Sequence, residues 1–309
     1  MRIAITGGSG FVGSHLGAAL RSEGIEVVAI ARGQREGAGV VRTSIDDVDA
    51  LAAAFAGCDA VAHLAGINRE LGTQTYQRVH VDGTRAVIEA AKRAGVRKIV
   101  MLSFLRARPD CGSPYHESKW AAEELVRESG LDYTIVKAGM IYGRGDHMLD
   151  HLSHSIETQP LVLAVGLREK SIRPLPIGDL VPVLRAALVD GRMSRETVAI
   201  TGAEELLLTD AVRRVAHVLG RPVFIVPAPL FLMRLLARVF ELTMHVPLVA
   251  RAQIRILEEG VVEPLPFAPP VPDDLTPRLP FSDEQIRAGL PERGRFTLRD
   301  LRCYATMPR

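Results

Sequence analysis

Between the apolar run "RIAIT" and the stretch "FVGSHLGAAL" stand Gly7, Gly8, Gly10 and Gly13. Glycines at that spacing let a strand end in a sharp turn and a helix start at once, and few folds need such a corner. Up to about residue 140 the same alternation recurs. "RIAIT", "EVVAI", the valines near Val40, "DAVAHLA", "KIVMLS" and "YTIVKA" read as strands buried on both faces. Helical patterns over Val12–Ser22, Asp47–Phe55, Val81–Ala94 and Tyr115–Ser129 separate them. Alternating β and α units with right-handed crossovers predict an α/β class, a doubly wound parallel sheet with helices on both faces. "TVAIT" at 197–201 adds a late strand to that sheet.

The remainder is helical and proline-richer, ending in the loop-like "EPLPFAPPVPDDLTPRLP". The expected plan is a Rossmann-like domain over residues 1–146 and 175–204, with a smaller, mainly helical substrate lobe over 147–174 and 205–309. Basic and acidic residues nearly balance, 38 against 36 for a net charge of +2, so no electrostatic footprint for nucleic acid exists. Cys58, Cys111 and Cys303 are odd in number and far apart, which suits a reducing compartment better than a disulfide framework. The first apolar run turns straight into glycines, unlike a signal peptide, and a cytoplasmic location is expected. Pro222–Met233 is too short to span a bilayer. Beyond it Leu232, Leu235, Leu236 and Val239 recur at helical spacing while Arg234 and Arg238 fall elsewhere. That pattern is a packed or an interface-lying amphipathic helix, and peripheral membrane contact stays open.

At the corner, a missing side chain allows close approach of a pyrophosphate, and the unpaired N–H groups of the following helix favour the anion. A dinucleotide is therefore the expected ligand. An acid at the end of the second strand would hold the adenosine ribose of NAD, but Ala31 stands there and Arg32 follows. A guanidinium suits a 2′-phosphate, with Arg35 and Arg42 near enough to assist. NADP(H) is thus expected ahead of NAD(H), against the alternative of an exposed loop arginine.

Tyr115 and Lys119 in "SPYHESKWAAEEL" lie four apart, on one helix face. A free phenol titrates near ~10, and a neighbouring ammonium lowers it toward useful acid–base chemistry. Ser103, at the end of the fifth strand, could hold a substrate oxygen beside it.

With these segments in view, the sequence resembles the short-chain dehydrogenase/reductase superfamily, in its extended and atypical branches. Within these it is similar to the atypical group that includes the NADPH-binding accessory subunit of respiratory complex I and its bacterial relatives. "TGGSGFVGSHL", "GCDAVAHLAG", "VHVDGTRAVIEAAKRAGVRKIVMLS", "YHESKWAAEELVRESGLDYTIVKAGMIYGRGD" and "IRPLPIGDL" carry the resemblance. It implies Tyr115 as general acid/base, Lys119 tuning it and holding the nicotinamide ribose, and Ser103 polarising a carbonyl. It further implies Gly7, Gly10, Phe11, Val12 and Gly13 around the pyrophosphate, Ala65 and Gly66 bordering the cofactor, and Arg32 at the 2′-phosphate. The implied activity is an NADP(H)-dependent oxidoreductase transferring hydride to or from a C–O group of a small or lipophilic substrate. A non-turnover NADPH-binding or assembly module and a nucleotide-sugar epimerase are the alternatives, with a monomer or homodimer expected.

Several positions depart from that pattern. His80 stands where many members carry Asn, Ser44-Ile45 replaces an Asp-hydrophobic pair, and Lys137-Ala138 replaces Arg-Pro. "MIYGRGD" lacks the Asn that sugar-nucleotide epimerases commonly place before that glycine, which argues against a UDP- or GDP-sugar. His147, His151 and His154 fall at helical spacing with Asp150. They read as a solvated face or a substrate-facing one, His147 foremost, and no metal is expected. Cys111 precedes Tyr115 as a loop thiol.

Overall fold

The computed structural model describes residues 1–32, 39–158, 161–166, 169–243 and 251–291. Arg35 and Cys303 lie outside the described residues. In chain order the first elements are β1 (Arg2–Thr6), α1 (Phe11–Ser22), β2 (Glu26–Ala31), β3 (Val40–Arg42), α2 (Val48–Phe55) and β4 (Ala60–His63). A π-helical turn (Gln77–Asp82) then leads into α3 (Gly83–Arg93), β5 (Lys98–Phe104), α4 (Pro114–Arg127) and β6 (Asp132–Ala138). Next come β7 (Ile141–Tyr142), α5 (His147–Thr158), β8 (Leu161–Val165), β9 (Ser171–Ile172), β10 (Leu175–Pro176), α6 (Ile177–Val189) and β11 (Glu196–Ile200). The chain closes with β12 (Leu206–Leu207), α7 (Leu208–Leu219), β13 (Phe224–Ala228), α8 (Leu230–Thr243), α9 (Arg251–Glu259) and α10 (Asp283–Gly289).

Two compact units emerge. One comprises residues 1–138, 177–200 and 263–277; the other comprises 139–176, 201–262 and 278–309. The first holds a seven-stranded sheet in the order β11-β6-β5-β4-β1-β2-β3, parallel throughout. Strand order reverses between β1 and β4, so a crevice opens beyond their carboxyl ends. Alternation along each strand fills both faces. Ala4, Val28, Ile30, Val61, Ile99 and Ile135 point into a core shared with α2, α3 and α4. On the opposite face Ile5 and Val27 approach Gly17 of α1. The fold is therefore the expected Rossmann-like doubly wound sheet, and the late strand expected at 197–201 pairs with β6 one residue earlier.

Local chemistry explains the element ends. Asp47 caps α2 by accepting from the Ala50 N–H at 3.0 Å, a contribution of about 1 kcal/mol. Gly220 closes α7 in the left-handed conformation at φ 64°. The helix expected from Val81 starts earlier, because the π-helical turn winds in ahead of it. The second unit has its own core around Tyr142, Leu149, Val212, Val215 and Phe281, and among the described residues its strands form three short pairs. No helix among the described residues is long and apolar enough to cross a membrane.

An ionic cluster lies inside the first unit. Glu123 of α4 is fully buried, and its carboxylate takes Lys137 Nζ at 3.2 Å and Arg127 Nη2 at 2.8 Å. Lys137 Nζ also donates to the Ala107 carbonyl at 2.8 Å. Removing one partner of such a cluster strands a charge without water, at a cost of about 3–5 kcal/mol. Glu123→Ala is expected to lose that much in urea unfolding, whereas Glu123→Leu combined with Lys137→Met recovers most of it.

Candidate active site

The crevice is made by contacts that only glycine permits. Gly7 sits at φ +70°, and a Cβ there would lie 2.9 Å from the Ala65 backbone. At Gly8 a Cβ would stand 2.7 Å from the Ala29 methyl, and at Gly13 it would stand 2.3 Å from the Gly7 carbonyl oxygen. The amino end of α1 can therefore press against the end of β1, which in turn touches the loop after β4. Gly10 occupies the N-cap without a side-chain cap, and no acidic residue falls in the first turn. Phe11, Val12 and Gly13 thus present N–H groups lacking helical partners, together with the positive end of the helix dipole.

A pocket of about 160 Å³ follows from this corner, lined by Gly7, Gly10, Arg32, Ile45, Ala65 and Gly66 among others. A cradle of backbone N–H groups, glycines and a strand-end guanidinium fits an anionic dinucleotide. Ala31 at the end of β2 is buried and offers no carboxylate for a ribose. Arg32 is exposed, and its Nη1 donates to Gln74 Oε1. Arg42 ends β3 in register with Ala31. The acid missing from position 44 reappears two residues on: Asp46 accepts from Ser44 and from Arg78 Nε at 2.8 Å. Those bonds hold its carboxyl below the usual carboxylate range.

Lys119 joins this pocket to the Tyr115 helix. A Cβ on Gly66 would lie 3.1 Å from Lys119 Nζ, so the ammonium packs on a pocket-lining backbone. Burial pulls the Lys119 amine down to about 8, and the Glu123 charge opposes that fall. Tyr115, four residues earlier, is buried in a clamp of aromatic rings. Phe104, Tyr76, His116 and His80 surround it at centroid distances of 5.4, 5.6, 5.7 and 5.8 Å. Burial pushes its phenol far above the free value, with the neighbouring Tyr76 adding to the rise. The sequence led us to expect the ammonium to lower that pKa. Inside the clamp burial disfavours the phenolate, so the Tyr115 phenol keeps its proton at neutral pH.

Ser103 stands at the end of β5 as expected, but its hydroxyl has another partner. Its hydroxyl, expected to face a substrate oxygen beside Tyr115, donates instead to buried Glu123. A carboxylate held between two cations out of water is the stronger acceptor. Nothing in the local sequence announces this bond, although Glu123 at four residues beyond Lys119 shares its helix face.

Two histidines hold the surrounding backbone. His80 Nε2 accepts the Ile67 N–H at 3.1 Å, which leaves the proton on Nδ1, 2.9 Å from Ser118 Oγ. That ring staples the loop after β4 to α4, and burial with the Lys119 charge drops its pKa to about 2. His63 bridges Thr6 Oγ1 at 2.8 Å and Thr84 Oγ1 at 2.9 Å. Neither ring carries charge at neutral pH, and burial is the first cause at both.

His147 opens α5 in the second unit, exposed, with its ring centroid 6.2 Å from that of His151. Among the described residues no group of three or more His, Cys, Asp or Glu side chains converges to hold a metal.

Comparison with known proteins follows this geometry. A family model described as NAD(P)H-binding matches residues 7–153. An uncharacterized protein of Mycobacterium bovis is 30% identical over 233 residues, 74% of this chain and 24% of that protein. The chain thus spans about a quarter of the length of that curated relative. A ceramide reductase of Caulobacter vibrioides is 29% identical, covering 71% of this chain and 70% of the relative. The mouse mitochondrial NADH dehydrogenase [ubiquinone] 1 alpha subcomplex subunit 9 is 26% identical, over 71% and 58%. Among solved structures, UDP-glucuronic acid 4-epimerase of Bacillus cereus with UDP-glucuronic acid and NAD superposes with a TM-score of 0.69 at 18% identity. It covers 94% of this chain and 98% of the epimerase. A short-chain dehydrogenase/reductase superfamily protein of Agrobacterium tumefaciens with bound NAD gives 0.62 at 23%, over 74% and 87%. Residues 7–153 thus match an NAD(P)H-binding domain, and the fold is the one these epimerase and dehydrogenase/reductase structures share. The chain is homologous to the ceramide reductase and to the complex I subunit.

Two expectations follow. Gly13→Ala drives a methyl against the Gly7 carbonyl, so stability falls by about 1–3 kcal/mol in chemical denaturation and NADPH affinity drops at least about tenfold in fluorescence titration. The Lys119 amine keeps its proton to about pH 8 when folded and to 10.5 otherwise. The unfolded chain therefore binds more protons in that window, and stability rises with pH across it. Lys119→Met removes this rise, as read from urea midpoints below pH 8 and between 8 and 10.5.

Proposed function

We propose that this chain is an NADP(H)-dependent oxidoreductase moving hydride to or from a C–O group of a small or lipophilic substrate. The observation that carries the reading is Lys119 Nζ packed on Gly66, which links the glycine-lined pocket to the helix bearing a neutral Tyr115 phenol. Bound NADPH would supply the hydride. Gly7, Gly10 and the N–H groups of Phe11, Val12 and Gly13 would hold its diphosphate, and Ala65 and Gly66 would border the cofactor. Lys119 would hold the nicotinamide ribose, and Arg32 would take the 2′-phosphate.

In the reducing direction Tyr115 would donate its hydroxyl proton to the substrate oxygen. The dry aromatic clamp keeps that proton on the phenol until the substrate oxygen becomes basic. Lys119 then stabilises the phenolate through its positive charge. Ser103 acts through Glu123, fixing the end of β5 against α4, so polarisation of the carbonyl falls to Tyr115. His147 is a candidate substrate contact. The Caulobacter relative, named a ceramide reductase, supports a lipophilic substrate. Cys58 and Cys111 form no disulfide among the described residues, which supports a cytoplasmic enzyme.

A second reading, an NADPH-holding module without turnover, is favoured by the diversion of Ser103 to Glu123 and by the likeness to the complex I subunit.

Arg32→Ala is expected to weaken NADPH binding by about 1.5–3 kcal/mol, roughly ten- to hundredfold, and to leave NADH unchanged. Equal losses for both cofactors would remove the 2′-phosphate assignment. With a panel of aliphatic and aromatic carbonyl compounds, wild type consumes NADPH, and Tyr115→Phe slows it by about 10²–10⁴ with cofactor affinity intact. If wild type binds NADPH and consumes none with any member, the holding module is the correct reading.

A further inference from the structure

The second unit exposes large apolar side chains on α8 and on the β8·β13 pair. α8 buries Met233 and Ala237 against Ala228 and Ile254, and that packing holds the helix flat on the protein. Its opposite side stays open: Phe231 is 74% exposed, Leu235 57% and Leu242 73%. These fall at i, i+4 and i+11, one stripe of an α-helix. The β8·β13 pair exposes further apolar side chains. Phe224 and Leu161 stand in register, as do Val226 and Leu163. By alternation all four point to the same side as Ala228. The other side of that sheet, with Val162 and Ile225, packs on the core of the unit. Leu163 and Ala228 lie beneath α8, whereas Phe224, Val226 and Leu161 remain exposed.

The exposed charges of this segment are cationic. Arg238, at i+7 from Phe231, lies within the same stripe, Arg234 flanks it at i+3, and Arg221 is exposed just ahead of β13. Arg234 reaches Glu258 at 2.8 Å while keeping half of its side chain in water. The open positions at 161, 224, 226, 231, 232, 235 and 242 are all Leu, Val or Phe. The exposed residues of α8 whose side chains are described, Phe231, Leu232, Arg234, Leu235, Arg238, Val239 and Leu242, are thus apolar or cationic. A helix lying flat, apolar outward and carrying guanidiniums, matches the boundary between acyl chains and anionic headgroups.

We infer that this face docks on the surface of an anionic lipid bilayer, with Phe231, Leu235, Leu242 and Phe224 entering the acyl boundary and Arg238 meeting the headgroups. The inference is independent of the redox chemistry, because it concerns only the second unit.

Flotation of the full chain with vesicles tests it. Wild type floats with phosphatidylcholine–phosphatidylglycerol vesicles, and less so at high salt. Arg238→Ala binds about fivefold more weakly to these vesicles. Phe231→Glu combined with Leu235→Glu stays in solution, while its thermal midpoint and NADPH titration match wild type, as substitutions at exposed positions should. Failure of wild type to float, or flotation of the double variant at wild-type level, overturns the inference. So does a wild-type dimer that the double variant converts to monomer while neither protein floats, since a second copy would then be the occupant.

Discussion

Everything in the candidate site depends on one steric permission: no Cβ stands at Gly7 or Gly13. A methyl at either position would meet backbone at 2.9 or 2.3 Å, closer than real carbon contacts allow. Because nothing stands there, the end of β1, the start of α1 and the loop after β4 share one small space. The sheet reverses its strand order at the same point, so the closest backbone approach and the topological crevice coincide. Side chains elsewhere tune the pocket, but they could not open it.

A second constraint is the dryness of the neighbouring α4 environment. Burial raises the Tyr115 phenol, lowers the Lys119 amine to about 8 and keeps His80 and His63 neutral. One cause acts in opposite directions on acid and base, and it leaves the region with few mobile charges. Glu123 is the exception. Its carboxylate collects Lys137, Arg127 and the Ser103 hydroxyl, and its field keeps Lys119 from falling further. The helix that carries Tyr115 is thus anchored by an ion cluster on the side where Ser103 ends its strand.

How much of this could be read from the residues varies with the range of the interaction. The doubly wound sheet was legible because β-branched runs, helical periods and glycines agree locally from Arg2 to Ala138. The glycine corner was legible for the same reason, since steric demand is written at each position. Tyr115 and Lys119 were readable as a pair on one helix face, yet the direction of the Tyr115 shift was not, because it depends on rings 11 to 39 positions away in sequence, at Phe104 and Tyr76. Ser103–Glu123 and Asp46–Arg78 join residues 20 and 32 apart through tertiary packing, which no local pattern encodes. The amphipathic spacing of α8 was visible, but only the packing of Met233 and Ala237 reveals which side remains open.

The most direct measurement is a crystal structure of the protein with NADP⁺. The account predicts a diphosphate over the amino end of α1 and a nicotinamide ribose within hydrogen-bond reach of Lys119 Nζ, on the side where the Tyr115 ring lies. A cofactor seated on the glycines with its nicotinamide arm directed away from α4 would contradict it.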